Sequence, residues 1–161
     1  MLLNVNRPDS IAGSESDNES PWSAVIGLSA FNLLKKDGCF VVEVQYLLDT
    51  LKDLTFDNIY HEHVNYWSVT SLNKFVNRLG YKLNKVEHID THGGSIRVYI
   101  KNKNYVSDCS VNEFLGKEEK FGIKDYNTYL KFAKQVEEAK FNVNKNIKNL
   151  KSKGLTLIGY G

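Results

Sequence analysis

Residues 35–44 read Lys35-Lys-Asp-Gly-Cys-Phe-Val-Val-Glu-Val44 and decide the fold class. Two lysines followed by Gly38 are typical of a helix end, and the apolar residues from Trp22 to Leu34 recur at helical spacing. The run from Cys39 to Val44 is rich in β-branched residues and nearly free of polar ones, as expected of a strand covered on both faces in a parallel sheet. A helix, a glycine turn and a buried strand predict an α/β protein.

The residues after this strand extend the same architecture. Residues 46–66 form a long connection, and such loops at the carboxyl ends of parallel strands often carry the chemistry of α/β proteins. Residues 68–71 offer N-cap candidates to a helix that Gly80 ends. Two alternating strands follow, at 81–89 and 96–101, and the short connection between them favours an antiparallel pair at the edge of the sheet.

The C-terminal third is dominated by one long helix. Residues 102–125 are polar and predict no definite element, whereas from Tyr126 apolar residues recur near helical spacing until Gly154 ends the pattern. Residues 155–158 predict a strand that stops at Gly159-Tyr-Gly161. The predicted organisation is a loose leader at 1–21, the C-terminal half of a sheet at 22–101, and a helical linker with the start of a further domain at 102–161.

Composition and charge exclude several classes of protein. The chain is 42% hydrophobic and 25% charged, which is typical of a globular protein. With 21 basic and 19 acidic residues the formal net charge is +2, so no surface for nucleic acid or an anionic membrane is predicted. No apolar stretch approaches the roughly 20 residues of a membrane span. Cys39, within an apolar run, is expected to be a buried free thiol, which favours a soluble protein in the reducing cytoplasm.

All four histidines fall between residues 61 and 92. Tyr60-His61-Glu62-His63 presents two imidazoles, a carboxylate and a phenol within four residues, which supplies a base, a group to orient it and a hydroxyl donor. This set suits proton abstraction beside a carbonyl, where a donor stabilises the enolate oxygen. In the alternative interpretation, one histidine is a structural hydrogen bonder and the others are solvated.

Two further features allow more than one interpretation. His61 and His63 could ligate zinc together with His88 and His92, although the spacing matches no strong zinc motif, and we predict no metal site. In Thr91-His-Gly-Gly-Ser95, the two glycines could let backbone amides approach an oxyanion or phosphate, with an arginine two residues further on. The same pair could serve only a tight turn that needs positive φ.

Together these segments resemble a known family, the SAM-dependent C-methyltransferases that act on nucleotide-linked 4-keto-deoxysugars. The resemblance runs from about residue 21 to the end, and its most specific parts are the loop YHEHxxY at 60–66 and the turn HGGSxRV at 92–98. It implies part of a class I, Rossmann-like methyltransferase sheet: a fifth strand, its helix, and antiparallel sixth and seventh strands at the edge. The long helix would then lead into a second Rossmann-like domain, truncated here.

The resemblance also implies roles for individual residues. His63 would be the base that removes the proton beside the ketone to form an enolate, Glu62 would orient it, and Tyr60 would donate to the developing oxyanion. The remaining matched residues would line the side of the site that binds the sugar nucleotide: His61, Tyr66, His92, Gly93, Gly94, Ser95 and Arg97.

The departures from the family concern the cofactor. Residues 1–21 do not resemble the family's glycine-rich SAM loop, so the cofactor implied by the resemblance, S-adenosyl-L-methionine (SAM), is expected to bind this chain poorly. We therefore expect a fragment that is inactive alone and that needs a second chain or a dimer to complete its sheet. The alternatives are a noncatalytic module that binds a nucleotide sugar or a protein, and a metal-dependent lyase or hydrolase.

Overall fold

The computed structural model of the chain describes residues 31–159, except residues 32, 61, 62, 64 and 92. Most of the helix predicted from Trp22 lies outside this range. The described elements, in chain order, are β1 (Phe40–Gln45), α1 (Leu47–Asp53), a 3-10 turn (Phe56–Asn58), α2 (Val69–Arg78), β2 (Tyr81–Ile89), β3 (Ser95–Asn102), α3 (Cys109–Phe121) and α4 (Tyr126–Ser152).

The three strands form one sheet in the order β1-β3-β2, with both pairings antiparallel. The predicted antiparallel pair at 81–89 and 96–101 is confirmed. The strand predicted at 39–44 is confirmed as β1 with bounds shifted by one residue, but within the described residues it pairs antiparallel with β3 and not with a parallel neighbour. This mixed α/β arrangement is compatible with part of a Rossmann-like methyltransferase sheet.

The core lies on one face of this sheet. Ile96, Val98 and Ile100 of β3 are at most 2% exposed, and α2 and α3 pack on the same side. Burying such a side chain contributes about 1.5–3 kcal/mol, so this layer dominates the stability of the sheet. On the opposite face Val41 is 45% exposed. The prediction that this strand is covered on both faces is therefore wrong.

The helix α2 begins and ends where the sequence indicates. The hydroxyl of Ser68 accepts a hydrogen bond from the Ser71 N–H, and the Ser71 side chain accepts one from the Ser68 N–H, each at 3.0 Å. This reciprocal capping box satisfies two donors that the first turn would otherwise leave free. Gly80, just after the helix, has φ +81°, a conformation that glycine adopts without strain.

Two helices occur where none was predicted. The short helix α1 lies within the 46–66 connection, and α3 lies within the polar segment 102–125. Asp108 caps α3 by accepting from the Ser110 N–H at 2.7 Å, and Gly122 ends it with φ +80°.

Three further expectations meet different outcomes. The long C-terminal helix is confirmed as α4, whose cap residue Asp125 accepts from the Asn127 N–H at 2.9 Å. Residues 155–158 do not form a strand, because a strand needs a partner and Ile158 is 90% exposed. Cys39 is exposed and not buried, because β1 begins one residue later.

None of the described helices combines the length and hydrophobicity needed to cross a membrane.

Candidate active site

The 46–66 connection and the 91–95 turn meet at one end of the sheet. Gln45, the last residue of β1, is paired with Ser95 at the start of β3. The next residue, Tyr46, donates its backbone N–H to the Gly94 carbonyl at 3.1 Å. The connection that leaves β1 and the turn between β2 and β3 therefore lie side by side.

The helix α1 packs tightly against the glycine turn through Asp49. An added Cβ at Gly94 would lie 2.7 Å from the Asp49 Cβ, closer than real Cβ contacts occur, and Gly94 has φ +102°. An oxygen of the same carboxylate lies 2.6 Å from Nε2 of His88 on β2, whose Nδ1 is 3.1 Å from Asp90. The second glycine is therefore required by close packing as well as by its backbone conformation.

The first glycine of the turn faces the other motif. A Cβ at Gly93 would lie 3.1 Å from Nδ2 of Asn58 and 3.7 Å from the Thr55 methyl group. Asn58 in turn accepts a hydrogen bond from the Tyr66 hydroxyl on its backbone carbonyl at 3.2 Å. The turn at 91–95 and the loop at 60–66 are thus linked through Asn58.

His63 is half-buried among aromatic rings. Its imidazole lies edge-on to the Tyr60 ring, with centroids 4.8 Å apart, and nearly parallel to the Tyr66 ring at 6.4 Å. Its backbone N–H donates to the Tyr60 carbonyl at 3.1 Å, which fixes the local turn. The loop therefore brings together Tyr60, His63 and Tyr66, whereas His61, Glu62 and His92 lie outside the described residues.

Ser95 and Arg97 make contacts within the sheet. Ser95 is buried, and its hydroxyl donates to the Thr91 carbonyl at 3.4 Å, so it closes the turn. Arg97 projects from the face opposite the core and donates through Nε and Nη2 to one oxygen of Glu43, at 3.2 and 2.9 Å. Those hydrogen bonds raise the pKa of Arg97 above its ordinary value.

Three buried polar groups near this end of the sheet have no hydrogen bond of normal length among the described residues: the side-chain amide of Gln45 and the hydroxyls of Tyr46 and Thr55. Burial raises the pKa of Tyr46 well above its usual range, and the nearby Glu118 carboxylate, as a charge and as an acceptor, and the charge of Asp49 add to that rise. Buried polar groups usually have partners, so this cluster makes the region a candidate functional site.

Two residues of this site were missed by sequence reasoning: Asp49 in α1 and Glu118 in α3. Glu118 follows Val111 and Phe114 at helical spacing, and an acidic residue at such an apolar position is the signal that could have identified it. Among the described residues no group of three or more histidine, cysteine or acidic side chains could hold a metal ion, and with His61 and His92 outside them the zinc alternative stays untested.

Comparison with known proteins shows what the chain is similar to. Residues 90–161 match the C-methyltransferase C-terminal domain family. The chain is also 36% identical, over 137 residues, to the C-methyltransferase NovU of Streptomyces niveus. That match covers 84% of this chain and 32% of the relative, so the chain spans about a third of the relative's length.

The match to NovU extends well beyond the C-methyltransferase C-terminal domain. An alignment of 137 residues within a 161-residue chain must include both the 60–66 loop and the 91–97 segment, wherever it begins. The predicted resemblance to the C-terminal portion of a C-methyltransferase is thus confirmed over the segments from which it was inferred.

Proposed function

We propose that this C-methyltransferase chain binds a nucleotide-linked keto-deoxysugar and removes the proton from the carbon beside the ketone, which prepares that carbon for methylation. The observation that carries the proposal is the position of His63. Its imidazole lies beside the rings of Tyr60 and Tyr66, and the Tyr66 hydroxyl donates to Asn58, whose side chain lies next to Gly93.

The proton transfer assigns a role to each side chain. His63, in its neutral form, takes the proton from the carbon, and the electrons of the C–H bond move toward the ketone oxygen to form an enolate. Tyr60, whose ring lies next to His63 and is 42% exposed, would donate a hydrogen bond to that oxygen. Positioned general bases typically accelerate such steps by about 10²–10⁴-fold.

The sugar nucleotide would lie over the turn between β2 and β3. The missing side chains of Gly93 and Gly94 leave room for Asn58 and Asp49, so the ligand would approach the backbone of the turn from the opposite side. We propose that Arg97, held in place by its ion pair with Glu43, offers its positive charge to the sugar nucleotide. His61, Tyr66 and His92 would line the pocket. Ser95, whose hydroxyl is engaged with Thr91, would support the turn and not contact the sugar.

C-methyltransferases in general use SAM as the methyl donor. The resemblance makes β1 the fifth strand of the sheet, whereas the family's glycine-rich SAM loop follows an earlier strand and would precede the described residues. Our proposal for the described residues is therefore limited to the sugar side of the reaction.

Methyl transfer can be tested with a labelled donor. The chain would be incubated with a nucleotide-linked 4-keto-deoxysugar and SAM carrying a ¹³C methyl group, alone and with a fragment of NovU that covers the part of the relative not matched here. We expect a new ¹³C methyl signal on a ring carbon only in the mixture. Transfer to oxygen, or no transfer in either reaction, would contradict the proposal.

A noncatalytic role is the second candidate, and the position of β1 favours it. Among the described strands β1 lies at the edge of the sheet, and Val41 is 45% exposed there. An open strand edge offers backbone groups to another chain. Sedimentation of the purified chain tests this candidate, because a second copy or a partner that pairs along β1 would give a complex, which Val41→Pro should disrupt.

A further inference from the structure

Glu118 is a fully buried carboxylate that joins distant parts of the chain. It lies on α3 with 0% of its surface exposed. One oxygen accepts a hydrogen bond from the backbone N–H of Val69 at 2.6 Å, and the other accepts one from Thr70 at 2.8 Å. These two amides begin α2, nearly fifty residues earlier in the sequence.

The contact is chemically specific. A buried carboxylate is tolerated only when its oxygens are hydrogen-bonded or paired with a cation. Both oxygens of Glu118 receive N–H donors at the positive end of a helix, where a negative charge is stabilised. The capping box of α2 uses the backbone N–H groups of Ser68 and Ser71. The N–H groups of Val69 and Thr70, which lie between them, have no acceptor within the helix, and Glu118 supplies one for each.

The same part of α3 also contacts the start of the 46–67 connection, which carries His63. Phe114, one turn before Glu118, packs against the Tyr46 ring with centroids 5.8 Å apart. The Leu47 N–H donates to the Trp67 carbonyl at 2.9 Å, so the start and the end of the 46–67 connection are joined there. Both ends of the segment that carries His63 are therefore held against α3.

We propose that Glu118 is a positioning residue for this candidate active site: by fixing the first turn of α2, it holds the end of the 46–67 connection so that the His63 ring stays beside Tyr60 and Tyr66. The role of His63 as the base rests on the proposed function, but the effect of Glu118 on the position of the ring does not. Glu118 contacts no substrate in this account: it acts through the backbone of Val69 and Thr70, and its carboxylate also lies close to the Tyr46 phenol at the start of the same connection.

The test compares Glu118→Gln with Glu119→Gln in the full chain. Glu119 is the neighbouring residue on α3 and is exposed, so its substitution controls for the change of charge. A glutamine at 118 has only one acceptor oxygen for two amides. We expect hydrogen exchange at Val69 and Thr70 to rise about ten- to a hundredfold in Glu118→Gln, with little change in Glu119→Gln.

The decisive readout is the NMR signal of the His63 ring. In the folded chain the neighbouring tyrosine rings shift the His63 Hε1 resonance, and in Glu118→Gln that resonance should move toward its value in an unstructured peptide, while the amide signals of β2 and β3 stay in place. A lower unfolding temperature with an unchanged His63 signal would overturn the proposal and leave Glu118 a purely structural residue.

A second variant covers the case in which Glu118→Gln does not fold. Glu118→Asp keeps the charge but is one methylene shorter, so it should show an intermediate rise in exchange and an intermediate shift of the His63 signal. An unchanged His63 resonance in Glu118→Asp, with exchange at Val69 raised, would also overturn the proposal. Neither measurement uses a sugar or SAM, so failure here is distinguishable from failure of the proposed reaction.

Discussion

The Asp49 carboxylate lies 2.6 Å from the His88 ring, and the same side chain packs against Gly94. One residue of α1 thereby joins the end of β2 to the glycine turn of the candidate site. The conformation of that turn depends on a helix that precedes it by about forty residues.

Gly94→Ala is expected to destabilise the fold by about 2–4 kcal/mol, because a Cβ would collide with Asp49 and φ +102° is strained for alanine. Gly93→Ala is the matched control and should cost only about 1–2 kcal/mol, since its closest neighbour, the Asn58 side chain, can move. Urea denaturation measures both free energies of unfolding. Equal costs for the two glycines would contradict the packing described here.

Tyr46→Phe should leave the free energy of unfolding unchanged or raise it by up to about 1 kcal/mol, because the buried hydroxyl makes no hydrogen bond of normal length to a described residue and the nearby Glu118 already accepts from two backbone amides. Tyr81→Phe is the comparison, since its hydroxyl donates to the Phe31 carbonyl at 3.0 Å, and it should lose about 0.5–1.5 kcal/mol. Thermal denaturation at neutral pH distinguishes the two variants. A clear loss in Tyr46→Phe would mean that its hydroxyl makes a stabilising bond.

Tyr46 also predicts a pH dependence. Burial raises the pKa of its phenol in the folded state, so the folded protein favours the neutral form. The resulting stability is present below the unfolded pKa of about 10 and is lost as the pH rises above it. Between pH 9 and 11 the native protein should therefore lose more stability than Tyr46→Phe, and parallel curves for the two proteins would contradict this prediction.

Glu87 predicts the opposite pH dependence. Its carboxylate accepts from Lys85 at 2.6 Å and from the Tyr99 hydroxyl at 2.8 Å, and these bonds lower its pKa in the folded state. The stability it contributes is present above the unfolded pKa of about 4.3 and is lost as the pH falls through the lower folded value. Glu87→Gln should thus be less stable than the native protein at pH 7, and the difference should shrink at lower pH. Exposed Glu138→Gln serves as the control, and a difference that does not vary with pH would contradict the assignment.

Local signals in the sequence were sufficient for some elements. The helix α2 was predicted because Ser68 and Gly80 mark its ends, and both act there through hydrogen bonding and backbone conformation. The antiparallel pair was predicted because alternation and a short connection leave few other arrangements.

Other features depend on contacts that sequence does not reveal. The helix α3 was missed because its polar core residue, Glu118, is stable only in contact with the distant amides of α2. The buried position of Cys39 was wrongly predicted because an apolar neighbourhood does not fix where a strand begins. The site residues were grouped by their motifs, but the aromatic setting of His63 depends on Tyr66 bonding back to Asn58.

The central claim is that His63 removes a proton from the carbon beside a sugar ketone. The most direct test is NMR of a nucleotide-linked 4-keto-deoxysugar in D₂O with the chain, with His63→Asn, and with buffer alone. Exchange needs no methyl donor, so it isolates the step assigned to these residues. We predict that the chain accelerates deuterium exchange at that carbon above the buffer rate and that His63→Asn returns it to the buffer rate. Undiminished exchange in His63→Asn would contradict the claim.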